Sequence, residues 1–540
     1  MKLHHTKFLP AALLGASLAA GGATVASAAE TPIKGGNLDF VVASTIPSYD
    51  AHQETTFGVV QPLAPFYSLL IRLNPENAMS TTDFICDLCE GKYETAADGM
   101  SYSFNIRKNV KFHDGTPLTA ADIKASLDKI IFPPEGVPSS RKAWYTQVAS
   151  IEAPDAYKVI VKMKRPLSAI VPALASPFNF IYSKKDLDTH GYTWHKTHVN
   201  GSGPFVFVQE QPGAFVEGKR NPNYFMPGLP YLDGFKAIQA PKMSVRIQAI
   251  RGDRAAIDFR GFPPKARDDL VAALGDKIKV QESDWNVIMG AGPNQKLERF
   301  KDVRVRQALG YALDRWNGAK HLSQIAILKS VGGIVFPSHH LAGSKEWLET
   351  MPGYGKDLKA SRDKAKKLLK DAGYPDLKVT IWNRAVDQPY TIMGTWYIDE
   401  WRKVGIKADQ KLMQSGPWYA GLRQTRDFDV AIDINSQTII NPPIDVSKWI
   451  KDAGNDYTNH QDDKTTELYL DMLNEPDAKK QAEKMRAYEG RILKDQAHYI
   501  PGFWWYKITP HRTYMKGWNV APSHYLNQQL DTVWIDPKLR

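Results

Sequence analysis

The sequence is poor in cysteine: two in 540 residues, both within Cys86-x-x-Cys89. Two thiols without a nearby histidine pair are too few for a zinc site, which leaves a redox dithiol or a small local disulfide. In an oxidising compartment the disulfide is the expectation. Neither cysteine lies near the N-terminal apolar stretch, where a lipid anchor would need one. Beyond that stretch no apolar run is long enough to cross a bilayer. Hydrolase motifs are missing too: there is no Gly-x-Ser-x-Gly, no His-Glu-x-x-His and no recognisable Cys–His spacing. Asp462-Asp463 reads as a solvated loop rather than a catalytic carboxylate pair. Positive charge is not gathered into a tract; the formal +11 is scattered, so nucleic acid is not an expected partner. There is no internal repeat and no long low-complexity linker.

What is present begins with an export leader. Lys2 and Lys7 flank an apolar run from Phe8 to Val25, and Ala26-Ser27-Ala28 offers a small-residue cleavage site, so the mature chain is expected to start at Ala29. With 43% hydrophobic and 24% charged residues, the remainder can bury a large core and should divide into more than one domain. Its clearest stretch runs from Tyr102 to Ile131. Tyr102, Phe104 and Ile106 alternate with polar residues as in a half-buried strand, and Val110 and Phe112 resume the run. Asp114-Gly115 turns the chain. Thr119 can cap a helix with Asp122 as its partner, and Ile123, Leu127, Ile130 and Ile131 form the helical stripe. In such a turn His113 and Asp114 read as structural rather than catalytic.

Further along, Val159, Val161 and Met163 alternate with Tyr157 at their head, and Asn200-Gly201-Ser202-Gly203-Pro204 leads into a hairpin pattern. Gly213 to Lys219 has the glycine spacing of a phosphate loop, but Arg220 stands where Ser or Thr should bind magnesium, and a hairpin is the wrong context. Pro241–Ile257 suggests a helix, Gly252-Asp253 and a short strand. Val305, Ala308, Leu309 and Ala312 mark a buried helix face. Helical stripes at Ala365–Ala372 and Ile392–Val404 interleave with strands at Val379–Trp382 and Phe428–Ile434, the pattern of a sheet covered by helices. Two helices, about Asp463–Leu473 and Ala478–Gln496, close the chain before Tyr499–Tyr506.

Several of these stretches resemble signatures of solute-binding protein family 5, the extracellular substrate-binding proteins of peptide, nickel and opine ABC importers. They are Gly35-Gly36 with the strand leading to Tyr49-Asp50-Ala51-His52, where Ala51 replaces the usual proline; Arg107-Lys108-x-Val110-Lys111-Phe112-His113-Asp114-Gly115-Thr116-Pro117-Leu118-Thr119; Asn200–Pro204 with Arg220-Asn221-Pro222; and Phe300–Leu309. The resemblance implies an α/β, type II periplasmic-binding-protein fold, with two main lobes, an extra subdomain and a ligand cleft at the hinge. On that plan residues 1–28 are the signal peptide, 29–51 begin lobe I, 52–198 form the extra subdomain, 199–288 complete lobe I, 289–498 form lobe II, and 499–540 return to lobe I.

The resemblance also implies a function: a monomeric periplasmic protein, not an enzyme and without cofactor or metal, that closes on a solute and delivers it to an inner-membrane permease driven by ATPase subunits. An interaction, chaperone or sensor protein on the same fold is the alternative, with a hydrolase behind it. Ligand-binding candidates placed by the resemblance are Ser44, Thr45, Arg141, Tyr145, Arg384, Trp418, Asn435 and Ser436. Peptide-binding members hold the peptide's amino group with an acid shortly after the strand that ends here at Ile434. Residues 436–443 contain no acid, and Asp433 could serve only in a different register. A buried ammonium without a carboxylate is costly, so the expected solute is peptide-like or modified, with a carboxylate for Arg141 or Arg384.

Overall fold

Leu38, Phe40 and Val42 turn inward along β1 (Asn37–Val42), while Asn37 and Asp39 do not, as the period-two pattern requires. The computed structural model describes residues 30–540 apart from Ser168, Gln437, Thr438 and Gly454. The leader and its cleavage site before Ala29 lie outside the described residues. Among the described residues no helix is long and apolar enough to cross a membrane.

The organising stretch folds largely as its pattern dictates. β2 (Ser101–Asn105) buries Tyr102 and Phe104, and the helix Ala120–Ile131 buries all four residues of its stripe. The Thr119 N–H donates to the Asp122 carboxylate at 2.8 Å, the reciprocal half of a capping box. Val110 and Phe112 are buried but do not continue the strand. The Phe112 N–H donates to the Thr116 carbonyl at 2.9 Å, and Asp114 accepts from the Thr116 N–H at 2.9 Å and its hydroxyl at 2.7 Å, so the backbone closes on itself. His113 belongs to the frame. Its N–H donates to the Gly201 carbonyl at 2.8 Å, its Nε2 lies 3.2 Å from the Gly203 carbonyl, and burial pushes the imidazole down to about 4. A Cβ on Gly201 would lie 1.9 Å from the Phe66 carbonyl oxygen, so only glycine allows that approach.

β3 (Val148–Asp155) and β4 (Lys158–Met163) complete the subdomain sheet, in the order Glu94–Thr95, β2, β4, β3. β5 (Phe205–Gln211) and β6 (Phe215–Arg220) form a hairpin, which rules out a phosphate loop at Gly213. β7 (Gly234–Gln239) pairs with β6 and lies parallel to β1, giving the lobe I sheet β1-β7-β6-β5. The helix Met243–Arg251 follows. The short strand expected after it is reduced to two bridges, Val41 with Asp258 and Ile257 with His511.

The lobe II sheet contains β8 (Ile278–Pro293), β9 (Leu328–Ser330), β10 (Lys378–Arg384), β11 (Lys407–Met413), β12 (Val430–Ser436) and β13 (Ile500–Arg512), in the order β9-β13-β8-β12-β10-β11. β12 buries Ala431 and Asp433 as well as Val430 and Ile432 because it lies between neighbours in a sheet covered on both faces. Asp462, expected in a solvated loop, instead caps the helix Asp463–Leu473. It pairs with Arg491 at 2.8 and 2.9 Å and with His498 at 3.0 Å, and these bonds outweigh burial and hold its carboxyl well below the carboxylate range.

β8 and β13 are antiparallel neighbours at the centre of this sheet. They pair from Ile278–Arg512 to Ala291–Ile500, with a break in register between Asp284 and Ile288. Within that break the Asn286 N–H donates to Pro522 at 2.7 Å and its Nδ2 to Ile439 at 3.0 Å, so one residue ties the C-terminal return to the loop after β12.

Cys86 and Cys89 are joined, as expected, with an S–S distance of 2.01 Å and a sequence separation of 3. A loop that short removes little entropy from the unfolded chain, about 2 kcal/mol at most. Cys86→Ser is therefore expected to lower stability by no more than that in calorimetry; failure of the variant to fold would show a larger role.

Candidate functional site

Among the eight residues placed by resemblance, the structure sets Arg384 and Trp418 together. Arg384 ends β10, and its Nη1 donates to the Tyr390 hydroxyl at 2.8 Å. The guanidinium lies over three rings, 4.5 Å from the centroid of Tyr390, 5.6 Å from Tyr419 and 5.9 Å from Trp418. Trp418 is fully buried beneath it, in contact with Leu422, Phe428, Ala431 and Tyr457, and its indole N–H has no hydrogen-bond partner among the described residues. The wall forms here because the strand ends of a parallel arrangement carry the loops that meet at a cleft.

Ser436, at the end of β12, bonds the hydroxyl of Tyr525, which also donates to the Thr55 carbonyl at 3.4 Å. Tyr525 thus bridges lobe II and lobe I. Asn435 is buried, and its Nδ2 donates to the Asp445 carbonyl at 2.8 Å, shaping the loop that follows. Ile439 and Ile444 of that loop share an apolar cluster with Ala521 and Leu526, so the lobes touch across the cleft.

Arg141 and Tyr145 are held in framework contacts. The Arg141 guanidinium donates to the carbonyls of Ala51 at 3.2 Å, His52 at 3.4 Å and Glu54 at 2.5 Å, and stacks on Phe178 at 3.9 Å. Burial pushes it down to about 10, still cationic at neutral pH. The Tyr145 hydroxyl donates to Ala173 at 2.6 Å and accepts from Asn179 at 2.9 Å. The Ser44 hydroxyl donates to the Thr45 carbonyl at 3.0 Å, and Thr45 is exposed.

Asp433 is committed: it pairs with Lys448 at 2.8 Å, both side chains nearly inaccessible. Asp445, the next acid, accepts from Asn286 at 3.4 Å, and burial raises its carboxyl well above its ordinary value. Asp433 is therefore already spent within lobe II.

Four residues of this neighbourhood were not singled out from sequence: Tyr390, Tyr419, Tyr525 and Arg260. Arg260 lies in the turn after Asp258, next to β1 and β13, with its guanidinium 5.2 Å from the Phe57 ring. It is pushed down to about 10, first by burial and then by the positive charges of Arg246 and Arg384. Arg260-Gly261 was a usable signal, because a long polar side chain beside an obligatory glycine marks a pinned turn. Two open depressions lie elsewhere on lobe II. One, of about 280 Å3, is lined by Arg315, Trp316 and Lys345; the other, of about 590 Å3, by Lys296, Arg426 and His460. No group of acids, histidines and cysteines suited to a metal ion occurs among the described residues.

Comparison with known proteins agrees with this architecture. The family model described as bacterial extracellular solute-binding proteins, family 5 Middle, matches residues 83–457. A glutathione-binding protein of Escherichia coli K12 is 28% identical over 385 residues, 70% of each chain. The periplasmic binding protein DppA of Helicobacter pylori, solved with the peptide STSA, superposes with a TM-score of 0.78 at 22% identity, covering 93% of this chain and 98% of its own. AgaA of Agrobacterium tumefaciens R10, solved with agropinic acid, gives 0.75 at 23% identity, covering 93% and 99%.

Proposed function

This chain belongs to the bacterial extracellular solute-binding proteins of family 5, and from that premise we propose that it is the periplasmic capture component of an ABC importer for a peptide-like or modified polar solute. The observation that carries this reading is the Arg384 guanidinium, set on an aromatic wall of lobe II, with Tyr525 bridging lobe II and lobe I near enough to act on it electrostatically. A solute that touches both walls favours the closed form by its differential contacts, and that form is the one offered to a permease. Flat aromatic walls add contact area at low entropic cost, while a few fixed polar groups set orientation. Residues 436–443 contain no acid and Asp433 is taken by Lys448, so the ordinary ammonium partner of the peptide binders has no counterpart in this stretch. The N-terminal leader directs the chain to the periplasm, and cleavage before Ala29 releases it without a lipid anchor.

The test is a thermal-shift screen of refolded, ligand-free protein against glutathione, agropinic acid, free and amino-blocked peptides, oligosaccharides and nickel complexes. Binding to the native state alone raises Tm. Anionic or amino-blocked compounds are expected to raise it. A response confined to peptides with free amino termini would overturn the argument from the missing acid; no response to any class would favour a sensor or interaction protein. For the strongest hit, Arg384→Ala is expected to weaken binding about tenfold to a hundredfold, the range for a hydrogen bond to a charged group. Unchanged affinity in calorimetric titration would remove Arg384 from the site.

A further inference from the structure

At the end of lobe II away from the cleft, three loops close around one buried side chain. β8 ends at Pro293 and β12 begins opposite it at Val430, whereas Ser436, which meets Tyr525, lies at the other end of β12. The seven-residue strand puts about 20 Å between those ends. Asn294, only 1% exposed, ties the loops together. Its Nδ2 donates to the carbonyls of Arg426 and Phe428, each at 2.9 Å, and its Oδ1 accepts from Asn459 Nδ2 at 2.8 Å. The Gln295 N–H donates to the Thr458 carbonyl at 2.8 Å, and His460 Nε2 lies 3.1 Å from the Trp449 carbonyl. These bonds fix the walls of the depression of about 590 Å3, whose charged lining is Lys296, Lys301, Arg426, Asp452 and Asp456.

The groups left open there are mostly cationic. Lys296 is exposed, and its ammonium has no partner among the described residues. Lys301 reaches Glu298 at 2.7 Å with both side chains exposed, a pair that water and salt weaken. Arg426 donates through one nitrogen to Asn459 and meets no carboxylate among the described residues. Of the two acids, Asp456 is closed: both of its oxygens accept from the Thr458 hydroxyl at 2.9 Å, and His460 stands 3.6 Å away. That leaves Asp452, which accepts from Gln461 at 3.4 Å, against three cations. Arg426 is also strained. It ends the helical turn Gly421–Thr425 at φ +50°, a left-handed position where glycine is the usual residue and a long side chain is disfavoured. Strain of this kind persists where the side chain is used.

We propose that this depression is an accessory oxyanion site, separate from the solute cleft, which takes a phosphoryl group through Lys296, Lys301 and the Arg426 guanidinium. A phosphoryl group carries about two negative charges and three acceptor oxygens, enough to meet a guanidinium fork and two ammonium groups at once. A single carboxylate would leave one of the cations without a partner. The bond from Arg426 to Asn459 fixes the direction of the fork, and the lysines act as point charges beside it. A small phosphate compound and an anionic phospholipid headgroup present the same chemistry to these three side chains.

The test uses the whole protein with two probes: sodium phosphate against sodium chloride at equal ionic strength, and phosphatidylglycerol vesicles against phosphatidylcholine vesicles. Phosphate is expected to raise the Tm of the wild type above its value in chloride. In calorimetric titration its binding should weaken by about tenfold or more in Arg426→Gly and in Lys296→Gln, the loss of one hydrogen bond to a charged group. Without phosphate, Arg426→Gly should melt no lower than the wild type, because glycine takes the left-handed conformation freely. If it melts lower, the exposed Lys296 decides: undiminished phosphate binding in Lys296→Gln would overturn the site. Arg384→Ala should keep the phosphate response, and its loss there would place the anion in the cleft and overturn the proposal. A phosphate response without vesicle binding supports the site and assigns it a soluble phosphate compound. Sedimentation with phosphatidylglycerol vesicles that free phosphate competes away supports it and assigns a lipid headgroup. No response to either probe that depends on Arg426 or Lys296 overturns it.

Discussion

Asp50→Ala is expected to lower unfolding stability by about 3–5 kcal/mol, the cost of stranding a buried charge. The charge stranded is Lys129, on the helix Ala120–Ile131, whose Nζ lies 2.7 Å from Asp50 with both side chains at most 1% exposed. Asp50 also accepts from Gln53 at 2.6 Å, Tyr182 at 3.1 Å and the His52 N–H at 3.0 Å. Burial pushes its carboxyl up, but His52, Lys129 and these bonds outweigh it, so its pKa lies below the ordinary value. Stability from this group is therefore present above the unfolded carboxylate pKa and is lost as pH falls through the folded one. The pair ties the turn after β1 to the subdomain, which explains what Asp50 does in the opening signature. Urea midpoints of Asp50→Ala, Lys129→Met and the double variant measure the coupling, and the double variant should be more stable than Asp50→Ala alone. A loss below about 1 kcal/mol in Asp50→Ala would show that water reaches Lys129.

The opposite sign is expected on β13. Lys507 lies on β13, fully buried, with one long hydrogen bond to the Ala521 carbonyl at 3.5 Å and no carboxylate partner among the described residues. Burial pushes its ammonium down to about 7, and Asp258 opposes this only in part. Between about pH 7 and the unfolded lysine value near 10.4, the unfolded chain holds a proton that the native state has released. The unfolded state then binds more protons, so stability rises with pH across that window. Below it both states are protonated and the native state carries the whole burial penalty, on the order of 4–5 kcal/mol as a ceiling. Lys507→Met should therefore raise the urea midpoint most at pH 6 and progressively less towards pH 10. Parallel pH profiles for variant and wild type would show that Lys507 does not titrate in this range.

Much of this architecture was legible in the residues because it rests on local periodicity and on turn chemistry. The alternation at Tyr102 and Phe104, the Thr119–Asp122 cap and the stripe from Ile123 to Ile131 each need only a few neighbours to specify strand, cap and helix. The signature stretches carried the lobe plan. Val110 and Phe112 misled because burial alternates there without a partner strand. Asp462 misled because its partners, Arg491 and His498, come from later in the chain.

The site divides in the same way. Arg384 and Trp418 were visible as side chains at the end of a strand and in the helix of a neighbouring loop, though Trp418 itself is fully buried. Arg141 was equally conspicuous, yet its donors are used by carbonyls at Ala51, His52 and Glu54. Arg260 drew no notice, yet Arg246 has taken its acid. The sequence by itself therefore determined the family and most of the strands and helices. Only the tertiary structure decided which cations are spent on framework carbonyls and carboxylates, because saturation of a guanidinium depends on partners distant in the chain, while strand and helix patterns depend on near ones.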